Sequence, residues 1–167
     1  MTGRVFLVMG VSGAGKTTVG AALAARLGTP FLDADDLHPP ANRAKMAEGV
    51  ALSDADRAPW LDAVAEVIGG WAAAGTGGVA ACSALRRRYR DRLRRADPGL
   101  VTVFLDLDEA ALAARLAARR GHYFAPSLLG SQLALLEPPA PDETAIRVDG
   151  GQAVEAVVAA VLAHRPR

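Results

Sequence analysis

The run Gly10-Val11-Ser12-Gly13-Ala14-Gly15-Lys16-Thr17 fits G-x-x-x-x-G-K-[ST] at every fixed position. Glycines at these spacings let backbone N–H groups curl around phosphate oxygens, and a helix starting at the end of the motif adds its positive dipole. Lys16 is placed to reach the β/γ-phosphates and stabilise charge in transfer, and the Thr17 hydroxyl to ligate Mg²⁺. With Thr18 behind it, the run forms an expected nucleotide cradle. The motif points to a nucleoside triphosphate and leaves its use open, because GTPases, ATPases and small-molecule kinases share it.

Two carboxylates follow a second apolar run. Asp33 and Asp35 stand at i and i+2, so in an extended chain they point the same way. A kinase needs a carboxylate near the acceptor hydroxyl and others to hold metal-bound water. Asp35 is the candidate base and Asp33 the candidate metal contact, with Asp36 a solvent-facing neighbour. The alternative is a solvated acidic turn that caps the next segment.

These groups need a frame, and the apolar pattern supplies one. Val5–Met9 reads as a strand buried on both faces. Thr17–Leu27 carries Val19, Leu23 and Leu27 at helical spacing, with Gly28 as its stop. Further short strands read at Phe31-Leu32, Val79–Cys82, Leu100–Leu105 and Ile146–Val148. Between them fall helices: Asn42–Glu48, a segment capped by Ser53 and Asp56 with Pro59 in its first turn, and Leu85–Arg95. Asp108 to about Arg120, Pro126–Leu136 and Gln152–His164 complete the set. Such alternation predicts an α/β fold, a five-stranded parallel sheet with helices on both faces, in one domain over residues 1–167. Right-handed crossovers bring the strand C-termini to one edge, where ligands bind in such sheets.

Composition narrows the class. The chain holds 19 basic and 18 acidic residues, so no global field draws it to nucleic acid or an anionic membrane. The single cysteine, Cys82, excludes an intrachain disulfide and a cysteine-cluster zinc site, and reads as a core thiol. No apolar run is long enough to span a bilayer, and the opening residues do not read as a signal peptide. The expectation is a soluble protein of a reducing compartment. Only two of the basic residues are lysines, Lys16 and Lys45.

Several blocks together carry a resemblance. They are Met9 to Thr17, Asp33-Ala34-Asp35-Asp36-Leu37-His38-Pro39, Asn42 with Lys45-Met46, and Leu52 through Asp56-Arg57 to Pro59-Trp60-Leu61. Cys82-Ser83-Ala84-Leu85, Tyr89-Arg90-Asp91, and Gly121-His122 leading to Ser131-Gln132 follow. In this order they resemble the gluconokinase family of small phosphate-loop kinases, across essentially the whole chain. Shikimate kinases share the fold without these blocks. The resemblance implies ATP and Mg²⁺ as cofactors and transfer to the 6-hydroxyl of D-gluconate, giving 6-phosphogluconate and ADP. It also implies a cytoplasmic homodimer, a substrate-binding segment at about 36–60 and a mobile lid at about 119–140.

A gluconate pocket calls for cations at the carboxylate and polar groups at the hydroxyls. Arg57, Arg90 and Lys45 are the candidate carboxylate partners, arginine offering a bidentate fork. His38, Asn42 and Ser83 are candidates for the hydroxyls, with Asp35 beside them. Arg119 falls where the resemblance places an arginine that folds over the β/γ-phosphates, and His122 follows it. Gln152, after Asp149-Gly150-Gly151, lies where such kinases hold adenine by backbone contacts. Arg87 and Arg88 read as a solvated helix face, and Trp60 and Trp71 first as packing.

Overall fold

The computed structural model describes residues 3–118 and 126–164. Five parallel strands form one sheet: β1 (Gly3–Met9), β2 (Phe31–Asp33), β3 (Thr76–Ala81), β4 (Val101–Asp106) and β5 (Ile146–Asp149). Their order across the sheet is β2-β3-β1-β4-β5. The register sets Val8 of β1 between Ala81 and Val103.

β1 sits at the centre because it is apolar on both faces. Val5, Leu7 and Met9 enter one core layer, where helix α3 (Asp54–Ala74) contributes Trp60, Leu61, Val64 and Ile68 and helix α4 (Arg87–Ala96) contributes Tyr89 and Leu93. Phe6 and Val8 enter the opposite layer, with Leu23 of α1 (Lys16–Leu27) and Val157, Val158 and Val161 of α7 (Val154–Ala163). Alternation along one strand thus fixes two helical layers. The short α2 (Pro40–Ala47), α5 (Glu109–Ala118) and α6 (Pro126–Leu135) lie beyond the sheet's C-terminal edge or beside it. Leu112 of α5 and Leu129 of α6 anchor them to the second layer.

Local signals set the boundaries. Ser53 accepts the Asp56 N–H while the Asp56 carboxylate accepts the Ser53 N–H, a complete capping box at the start of α3. Gly28 and Gly75 close α1 and α3 in the left-handed conformation. Three expectations shift. Pro59 lies inside α3 rather than in its first turn, since the capping box starts the helix at Asp54. α4 begins at Arg87, leaving Ser83 to Leu85 as a loop. The chain after β2 is not extended: Ala34–Leu37 is a 3-10 turn, because Asp33 caps it by accepting the Asp35 N–H.

Candidate active site

The strand C-termini converge on one edge, so the loops after β1, β2 and β3 meet there. In the loop after β1, Gly13 and Gly15 take φ of 86° and 95°, a region costly for other residues. A Cβ on Gly13 would stand 3.2 Å from Cγ of Leu116, so bare backbone is also what fits beneath α5. Gly15 caps α1, and Lys16 turns back to donate to the Val11 carbonyl at 3.1 Å. Gly10, Val11, Ser12, Gly13, Ala14, Gly15, Lys16, Thr17 and Thr18 therefore form a continuous loop and helix N-terminus suited to polyphosphate.

Arg115 of α5, a residue the sequence did not single out, braces this loop. It donates to the carbonyls of Gly13 and Ala14 at 3.3 and 3.2 Å and to Gly150 at 2.7 Å, joining the phosphate loop to the turn after β5. It stands four residues before Arg119 in the sequence, a spacing that could have found it.

The Thr17 hydroxyl donates to Asp33 Oδ2 at 2.9 Å, and Asp33 Oδ1 accepts the Asp35 N–H at 3.0 Å. A hydroxyl and a carboxylate are oxygen donors that suit a hard cation, and Mg²⁺ usually completes its shell with water and substrate phosphates. Thr17 and Asp33 thus fit the expected ion. The described residues contain no group of three or more His, Cys, Asp or Glu side chains that could hold a metal ion.

A cleft of about 520 Å³ opens beside the loop. Ser12, Lys16, Asp35, His38, Arg57 and Ser83 line it, as do Arg43, Trp60, Ser131 and Gln132. The Asp35 side chain keeps 70% of its surface exposed. Even so, the surrounding walls of protein thin out bulk water and raise its pKa above the usual carboxylate value; Lys16 opposes the rise, Asp33 and Asp36 add to it, and Arg43 opposes it.

His38 is buried and stacks on Trp60 with ring centroids 4.2 Å apart. Burial, with Arg43 and Arg57 nearby, lowers its pKa to about 4, so it is neutral near pH 7. Asn42 Nδ2 donates to the Asp56 carbonyl at 2.9 Å and meets His38 Nδ1 at 3.2 Å. Nδ1 is then the acceptor, and the ring proton sits on Nε2. Nε2 lies 3.9 Å from Asp35 Oδ1, so the imidazole N–H is held at the cleft beside the candidate base. Trp60 fixes the platform by donating to the Ala34 carbonyl at 2.7 Å.

The other expected residues play different parts. Asn42 does not reach the cleft; it orients His38. Lys45 is bound to Asp56 at 2.8 Å, joining α2 to the start of α3. That contact, with the Ser53 N–H, holds Asp56 down to about 2. Arg90 is the clearest correction. It is fully buried, its fork closed on Glu143 at 2.7 and 3.0 Å, and it donates to the carbonyls of Ala84 and Leu85. Burial alone would raise the pKa of Glu143, but its bonds from Arg90 and the Ala140 N–H pull it below the usual value. Arg90 therefore shapes the loop that presents Ser83, in which Ala84 takes a left-handed φ of 44°. Gln152 is exposed in the turn before α7 and does not line the cleft. Arg119 and His122 lie outside the described residues.

Arg43 entered the cleft unannounced. Its Nε donates to the His38 carbonyl at 3.3 Å and its Nη2 to that of Asp36 at 2.9 Å, clamping the turn that carries Asp35. Arg57 is mostly enclosed and bonds weakly to the Tyr89 hydroxyl at 3.4 Å.

A parallel sheet in the order 2-3-1-4-5, a phosphate loop after its central strand and a polar cleft at the adjacent carboxyl ends define a phosphate-loop kinase, an enzyme of the phosphotransferase class. Residues 5–139 match the family described as AAA domain. A gluconokinase from Gluconobacter oxydans (strain 621H) is 48% identical over 161 residues, 96% of this chain and 90% of that protein. The thermosensitive gluconokinase of Escherichia coli (strain K12) is 43% identical over 150 residues, 89% of this chain and 80% of that one. A solved gluconokinase from Sinorhizobium meliloti 1021 superposes with a TM-score of 0.87 at 46% identity, covering 97% of this chain and 91% of that one. The chain belongs to the gluconokinase family. Shikimate kinase from Aquifex aeolicus, with a TM-score of 0.56 at 19% identity, shares the fold alone.

Proposed function

We propose that this protein transfers the terminal phosphoryl group of ATP to the 6-hydroxyl of D-gluconate, giving 6-phosphogluconate and ADP. The observation that carries this is the meeting of Lys16, Asp35, Arg57 and Ser83 in one cleft beside the phosphate loop. Nearly all of transfer chemistry is positioning and charge stabilisation, and these residues supply both.

Lys16 and the loop N–H groups hold the β/γ-phosphates and stabilise the charge that spreads over them. Asp35 accepts the proton of the acceptor hydroxyl as its oxygen bonds to phosphorus and the bond from phosphorus to the bridging oxygen of ADP breaks. Its raised pKa brings the base closer to working pH. Arg57 offers a fork to the gluconate carboxylate, and Ser83 and the His38 Nε2–H offer polar contacts to hydroxyls. Mg²⁺, when bound through Thr17 and Asp33, would neutralise phosphate charge. Asn42, Lys45 and Arg90 hold the frame, and the family resemblance assigns Arg119 and His122 to a lid at about 119–140. The resemblance supports a cytoplasmic homodimer with an acceptor-binding segment at about 36–60.

The test is coupled ADP release over a panel of sugar acids, shikimate and nucleoside monophosphates. Gluconate should give the highest kcat/KM. Turnover with gluconate no faster than with water alone would overturn the assignment.

A further inference from the structure

The Ser12 N–H belongs to the phosphate loop, yet it donates to Gln132 Oε1 at 2.7 Å, across 120 residues of sequence. Gln132 stands on α6, one face of which is docked by Leu129 in the core, with Leu133 packed against it. Just past the helix, the Glu137 N–H donates to the Leu85 carbonyl at 2.8 Å. α6 is thus tied at its C-terminal end to the loop beside Ser83, and Gln132 is its contact with the phosphate loop. Ser131 and Gln132 both line the acceptor cleft.

An N–H group has one proton and makes one good hydrogen bond. Loop amides in this motif are the donors that polyphosphate takes up. Gln132 Oε1 and a phosphate oxygen therefore cannot both hold the Ser12 N–H. We propose that Gln132 is a positioning residue that competes with the terminal phosphates of ATP for the Ser12 N–H, so that nucleotide binding releases its carboxamide into the acceptor cleft. The exchange couples the arrival of ATP to α6 and to the wall against which the acceptor packs. This rests on the ATP-dependent function above and adds a residue to it.

A contact that merely holds the fold predicts weaker binding when it is cut; a competitor predicts tighter binding. Titration calorimetry with ATP and Mg²⁺ on the whole protein separates the two. Gln132→Ala and Gln132→Asn, the second too short to reach Ser12, should each bind ATP about fivefold more tightly than wild type, the worth of one neutral hydrogen bond. Gln132→Glu should bind at least about tenfold more weakly, since a carboxylate takes the same N–H more strongly and repels phosphate. Gluconate turnover by the wild type, run alongside, tests the proposed reaction separately. Unchanged or weaker ATP binding in both the Ala and Asn variants would overturn the proposal.

Discussion

Lowering the pH should undo the platform beneath the candidate base before it touches the rest of the protein. His38 has a pKa of about 4 in the folded chain against 6.5 when free. Its neutral form is the native one, so the proton binds the unfolded chain more readily. The stability it contributes is fully present above 6.5 and drains away as pH falls toward 4, below which both states are protonated. At 1.36 kcal/mol per unit the full displacement is worth about 3 kcal/mol, of which linkage assigns about 2 kcal/mol to the interval from about pH 7 to about pH 5. The ring is only 4% exposed, so screening by solvent removes little of this. The lowered carboxylates, Asp54, Asp56, Asp142 and Glu143, act in the same direction but below their unfolded values, near pH 4. Asp35, whose pKa is raised, acts in the opposite direction. The assay is urea denaturation by circular dichroism at several pH values, comparing wild type with His38→Gln, which cannot titrate. The two stability curves should converge by about 2 kcal/mol between pH 7 and pH 5. Parallel curves over that interval would refute the assignment of His38 as a buried neutral imidazole.

Further outcomes follow from the site and its frame. Asp35→Asn should keep ATP affinity while kcat falls by roughly 10²–10⁴-fold, as for a lost general base. Because the base works ionised, wild-type kcat/KM should decline as pH falls through a value above the ordinary carboxylate range, and stopped-flow or coupled assays should show that acid limb missing in the variant. Glu143→Ala should cost about 3–5 kcal/mol in chemical denaturation by stranding a buried guanidinium. The pair Arg90→Met with Glu143→Leu should recover much of that stability without recovering turnover, because the carbonyls of Ala84 and Leu85 lose their donor.

What was legible in the sequence was local. The phosphate loop is a contiguous run whose glycines are dictated by backbone conformation, and Ser53 with Asp56 announced a helix start within four residues. The three central strands β3, β1 and β4 showed as short apolar runs because a central parallel strand is buried on both faces. The role of Arg90 was not legible. Its partner Glu143 lies 53 residues away, and nothing near either residue distinguishes a buried pair from two solvated charges. Gln132 was named only within the resemblance, since its partner Ser12 lies 120 residues away, whereas Arg43, whose partners Asp36 and His38 are close in sequence, was not singled out. Asp35 does line the cleft, but not by the extended geometry considered for it, since Asp33 captures its N–H and bends the chain after β2 into a turn.

The closed fork between Arg90 and Glu143 also orders events in time. During synthesis the chain emerges from its N-terminus, and β1, β3 and α4 all precede Glu143. Arg90 cannot be buried at low cost until the turn holding Glu143 arrives, so the loop of Ser83 to Leu85 must wait for it. A nascent chain stopped before residue 143 would own its phosphate loop but no shaped acceptor wall. The wall around Ser83 is therefore completed late in the chain, when Glu143 arrives.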